Sequence, residues 1–136
     1  MRQSILLIDD HPTDNSNFIS VLRNKYDVDV TAYISTARIK LTELSRYNLI
    51  VLDVMMPVYD ETFNDLDTSD GLRTGFAYYE AELKDLNIPV LFWSWNKDFE
   101  QEINEKKWEK TDFLFKDTDD DHLLKGVERF CKKYNL

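Results

Sequence analysis

The stretch 48–57, Asn-Leu-Ile-Val-Leu-Asp-Val-Met-Met-Pro, limits what this chain can fold into more than any other. Four consecutive apolar residues, Leu49, Ile50, Val51 and Leu52, end abruptly on one carboxylate, Asp53. A short unbroken apolar run suits a strand covered on both faces, as in the interior of a parallel sheet. An acid placed where such a strand ends stands on the C-terminal rim, the edge at which open α/β sheets keep their ligands. Asp53 is therefore the first candidate functional residue.

The same pattern recurs along the chain. Ile5, Leu6, Leu7 and Ile8 run into Asp9 and Asp10, the segment 88–93 runs into Ser94, and Phe113, Leu114 and Phe115 run into Lys116. Val28 and Val30 alternate with polar residues, the mark of a short strand near a sheet edge. Helical spacing fills the intervals. A helix over 12–25, opened by Pro12, carries Phe18, Val21, Leu22 and Tyr26. Ser35 can cap a second helix with Ile39, Leu41, Leu44 and Tyr47 inward. Ser69 or Asp70 opens a third, with the stripe Leu72, Phe76, Tyr79, Leu83 and Leu86. A weak fourth helix over 96–110 buries Phe99, Ile103 and Trp108, and the fifth, capped from Thr118 and Asp119 to Asp121, buries Leu123, Val127, Phe130 and Tyr134. Five strands alternating with five helices imply an α/β fold, a doubly wound parallel sheet with helices on both faces.

At 136 residues, one domain spanning 1–136 is expected. The net charge of −9 repels nucleic acid and offers no basic stripe to an anionic membrane. No apolar stretch reaches bilayer length, no signal-peptide pattern follows Met1, and the single Cys131 suits a reducing compartment, so a cytoplasmic protein is expected. Residues 58–70 are polar, acidic and without periodicity, and read as a loop. Asp65, Asp67 and Ser69 fall at calcium-loop spacing, but Asp70 stands where glycine is needed, which favours a solvated loop. His11, His122 and Cys131 have no metal-ligand spacing, and His11 reads as an exposed first-turn residue. Three glycines, none in a glycine-rich turn after the first strand, leave no dinucleotide cradle.

The set Asp9-Asp10, Asp53 followed by Met56-Pro57, Ser94 and Lys116, in that order along the chain, resembles the response regulator receiver domain of two-component signalling. The resemblance covers essentially the whole chain. It implies the flavodoxin-like receiver fold, a sheet in order 2-1-3-4-5 whose switch point brings Asp9, Asp10 and Asp53 together. It implies that Asp10, Asp53 and the Met55 backbone carbonyl bind Mg²⁺, with Asp9 acting through water. Asp53 is then the phosphoacceptor for a histidine kinase or phosphotransfer protein, Ser94 and Lys116 contact the phosphoryl oxygens, and Phe113 is the switch aromatic. The implied output is a protein target on the face of helix 4, strand 5 and helix 5, with a monomer or weak dimer. Nothing follows the last helix, so a stand-alone receiver is expected, and one that is not an enzyme beyond its own phosphorylation and dephosphorylation. A phosphatase using Asp53 would need an acid two residues later, where Met55 stands.

The chain also departs from that pattern. Proline usually follows the lysine, often after a cis bond; here Asp117 follows, and a cis bond without proline costs about 2.5–4 kcal/mol. Trp95 replaces a small residue and can gate Asp53. The loop after Met56-Pro57 is roughly ten residues longer than the family leads one to expect. Met55 and Asn96 should flank the phosphoryl group, and methionine orients water poorly, so a long-lived aspartyl phosphate is expected. These departures leave open a receiver-like interaction module that does not switch.

Overall fold

The computed structural model describes residues 2–42, 46–56 and 73–136. The expected loop 58–70, its calcium-loop spacing, the cap at Ser69 or Asp70, and Leu44 and Leu72 lie outside the described residues. Five strands form one sheet: β1 (Ser4–Ile8), β2 (Asp27–Thr31), β3 (Leu49–Asp53), β4 (Val90–Ser94) and β5 (Thr111–Phe115). Their order is β2-β1-β3-β4-β5, every neighbouring pair is parallel, and β2 sits on the edge as its alternating pattern predicts. All residues of β3 and β4 are buried, which is why both read as unbroken apolar runs.

Alternation along the strands divides the core in two. One layer joins Ile5, Leu7, Val51, Leu91 and Trp93 to Ile19 and Leu22 of α1 (Ser16–Arg23) and to Leu123, Val127 and Phe130 of α5 (His122–Tyr134). The other joins Leu6, Ile8, Ile50, Leu52 and Phe92 to α2 (Ile34–Lys40), α3 (Thr74–Tyr78) and α4 (Asp98–Lys106). Gly126 lets α5 approach β5 closely, since a Cβ there would meet the Leu114 side chain at 2.5 Å.

Four local expectations change. α1 starts at Ser16, after turns over 12–15, because the Asn15 carboxamide is committed to Asp9 instead of to capping. In α2 the inward positions are Ile34 and Ala37, with Leu41 buried just past its end; Ser35 lies inside the helix and Ile39 is 71% exposed. The third helix changes pitch twice: α3 widens into a π turn over Tyr79–Leu83 and tightens into a 3₁₀ turn over Lys84–Leu86, closing on Asn87 at φ 64°. No side-chain cap bond is made at the start of α5, whose N-cap is Asp121.

Candidate functional site

The ends of β1, β3 and β5 converge as the topology requires. The ladder continues one residue past two strands: the Asp9 amide donates to the Thr31 carbonyl at 3.0 Å and the Lys116 amide to the Ser94 carbonyl at 2.8 Å. Strand parity then turns Asp9, Asp53 and Lys116 towards the α1/α5 layer, the same side as Trp93, whose Cα partner in the neighbouring strand is Asp53. One carboxylate oxygen from each of Asp9, Asp10 and Asp53 lies within 4.8 Å of the other two.

Burial and a neighbouring carboxylate both oppose the ionisation of Asp53. Asp53 is only 4% exposed. Burial pushes its carboxyl up to about 8; the Lys116 ammonium pulls against that, Asp9 adds to it by charge and hydrogen bonding, and the Met55 amide favours the ionised form. Lys116 Nζ stands 3.5 Å from Asp53 Oδ2, and the Met55 amide donates to Asp53 Oδ1 at 3.2 Å. Asp9 accepts from the His11 amide at 3.2 Å and from the Asn15 carboxamide, so its oxygens are already occupied. Asp10 differs: Oδ2 meets the exposed His11 Nε2 at 3.2 Å, whereas Oδ1 is buried with no hydrogen-bond partner among the described residues.

An orphaned buried carboxylate oxygen costs free energy unless something electropositive meets it. Beside two more carboxylates, the donor set is all oxygen, which suits a hard divalent cation such as Mg²⁺ rather than zinc or copper. The residues therefore fit a metal ion.

Ser94 lies one residue beyond Trp93 on the opposite parity, almost fully buried, and its hydroxyl accepts from the Asn96 amide at 3.2 Å. Phe113 is buried in the α2–α4 layer, as the Cα partner of Phe92. Ser94 and Phe113 thus share a face, and Asp9, Asp53 and Lys116 share the other. Trp95, next to Ser94 in sequence, is 52% exposed and meets Phe115 edge-on at 6.1 Å, and Met55, two residues after Asp53, is 38% exposed. The Asn96 side-chain oxygen accepts from the Asp98 amide at the start of α4. Among the described residues no peptide bond is cis, so Lys116–Asp117 is trans.

Four supporting residues escaped the sequence reading. Asn15 orients Asp9. Thr74, fully buried, donates its hydroxyl to the Met56 carbonyl just beyond Asp53. Gly75 donates its amide to the Val54 carbonyl at 2.9 Å, and a Cβ there would lie 2.4 Å from the Asp53 carbonyl oxygen. His122 accepts from the Trp93 indole at 3.1 Å. Only Gly75 left a sequence signal, as a glycine inside a helical stripe.

A family model described as response regulator receiver domain matches residues 5–128. Among curated proteins none matches the sequence. Among solved structures, a chemotaxis protein of Vibrio cholerae is 23% identical over 96% of this chain and 99% of its own, with a TM-score of 0.70. A two-component response regulator from Clostridium difficile is 19% identical over 99% of this chain and 100% of its own, with a TM-score of 0.68. These likenesses show the same fold.

Proposed function

The chain belongs to the response regulator receiver family of two-component signalling, and from that premise we propose that it takes a phosphoryl group onto Asp53. The donor is a phosphohistidine of a histidine kinase or phosphotransfer protein. One observation carries the reading: buried Asp9 and Asp53 cluster with half-buried Asp10 beside Lys116, and one Asp10 oxygen has no partner among the described residues.

In the transfer, an Asp53 carboxylate oxygen attacks phosphorus, a P–O bond forms, the P–N bond breaks, and its electron pair leaves with the imidazole. Attack needs the ionised carboxylate, which burial disfavours, so neighbouring positive charge has to restore it. Asp10, Asp53 and the Met55 carbonyl would hold Mg²⁺, with Asp9 reached through water. Bound there, Mg²⁺ supplies charge neutralisation for the carboxylates and the transferring group. The Lys116 ammonium and Ser94 hydroxyl meet the phosphoryl oxygens. Movement of Ser94 towards them frees room on its own face, where Phe113 lies, and the surface of α4, β5 and α5 becomes the site read by a protein target. We place this activity in the cytoplasm; no helix among the described residues is long and apolar enough to cross a membrane. Beyond its own phosphorylation and dephosphorylation the chain catalyses nothing.

Intact mass after incubation with an acyl phosphate and Mg²⁺ tests the reading. Wild type gains one phosphate and Asp53→Asn gains none. Unmodified wild type with its fold intact would instead favour the non-switching interaction module. Met55 presents no group to orient an attacking water, so the adduct decays slowly, and Met55→Asn should hasten its loss.

A further inference from the structure

We infer that Trp93 is a positioning residue for Lys116: its indole face, locked by His122, holds the ammonium over Asp53 without taking up any of its protons. The inference rests on the phosphoacceptor reading above, and adds to it an aromatic wall beside Lys116.

The argument starts from the needs of a buried ammonium. Lys116 is nearly inaccessible, and among the described residues its one ion-pair partner is Asp53 Oδ2, at the long distance of 3.5 Å. Its other neighbour is the Trp93 ring, whose centroid lies 4.6 Å from Nζ. Indole offers the strongest π face of the side chains, and the attraction grows where water is excluded. An oxygen acceptor in the same place would claim an N–H. A π face does not, so the ammonium keeps its protons for phosphoryl oxygens while staying in register with Asp53.

Such a ring is useful only if it cannot turn away. Trp93 Nε1 donates to His122 Nε2 at 3.1 Å, and His122 Nδ1 lies 2.8 Å from the Asp119 carbonyl. Nε2 accepts from the indole and Nδ1 faces the carbonyl, so the two contacts together pin the plane of the imidazole. Phe18 of α1 meets His122 edge-on at 4.6 Å and Trp93 at 6.2 Å, closing the wall from the other helix. The start of α5, β4 and α1 thereby hold one ring, and that ring holds the lysine.

The test pairs a spectroscopic signature with a rate. In wild type the Lys116 side-chain ε protons resonate upfield of an ordinary lysine, because they lie over an indole. Trp93→Phe retains part of that shift and part of the rate, since a ring remains. Trp93→Leu loses the shift, and phosphorylation by an acyl phosphate slows on the order of tenfold. His122→Phe preserves the bulk at the start of α5 but removes the acceptor, and should reduce both shift and rate should Trp93→Leu fail to fold. Unshifted Lys116 protons in wild type overturn the inference, as does Trp93→Leu that phosphorylates at the wild-type rate while wild type is modified on Asp53. Wild type that takes no phosphate overturns the phosphoacceptor reading itself, and the positioning role falls with it.

Discussion

The two faces of the sheet are built differently, and the difference follows what each face carries. On one side two helices of unchanging pitch, α1 and α5, cover the parity that holds Asp9, Asp53, Trp93 and Lys116. On the other, a seven-residue α2, an α3 that passes from α to π to 3₁₀ geometry, and α4 cover the parity of Ser94 and Phe113. That second layer is stitched by Arg38 to Glu82 and by Arg73 to Glu102, pairs that join one helix to the next. Chemistry needs reacting groups held to within a fraction of an ångström, which regular helices provide. A readout needs an element with a second arrangement close in free energy, and irregular, short helices suit that better.

Changes at the seam between the layers should have the largest effects. Gly75 belongs to α3 yet touches the backbone of Asp53 and Val54, so Gly75→Ala forces the strand end to move. We expect about 1–3 kcal/mol of lost stability by chemical denaturation, together with slower phosphate uptake. Unchanged stability would mean that the irregular layer does not set the position of Asp53.

Removing the orphaned carboxylate comes next. Asp10→Asn should weaken Mg²⁺ binding by about one to two orders of magnitude in a calorimetric titration. Asp53→Asn then tests the electrostatics of the regular face. Wild-type Asp53 has its folded value raised to about 8 from an ordinary 3.8, so the folded chain keeps a proton that the unfolded chain releases between those values. Its contribution to stability is therefore complete at low pH and is lost as pH rises through about 8. Without Mg²⁺, Asp53→Asn should match wild type near pH 4 and be the more stable of the two above pH 8. Wild-type stability that rises over this range, with the variant falling below it, would contradict the account. The smallest effect belongs to Ile39→Ser, within about 0.5 kcal/mol, because that side chain faces water on the irregular side.

What could be read from the sequence follows the same division. Buried strands announce themselves as apolar runs, and each run here ends on a residue that the sheet carries to one rim; hence Asp9, Asp10, Asp53, Ser94 and Lys116 were all legible. Helical stripes were legible only where the pitch holds. α5 kept its stripe, but in α2 the helix ends at Lys40, so Leu41 and Tyr47 are buried by the chain beyond it and Ile39 was wrongly grouped with them. The pitch change after Tyr78 is likewise invisible to a 3.6-residue period. Asn15 and His122 escaped because their roles depend on partners far away in sequence or on a helix that starts late. A polar residue beside a helix start reads as a cap until its actual partner is seen.

Backbone amide exchange on the phosphorylated protein, compared with the unmodified one, tests the division of labour most directly. The account predicts altered protection from Ser94 through α4 and β5 and along the face of α5 beside them, while α1 exchanges as before. Equal change across α1, or none anywhere while Asp53 carries its phosphate, would contradict it.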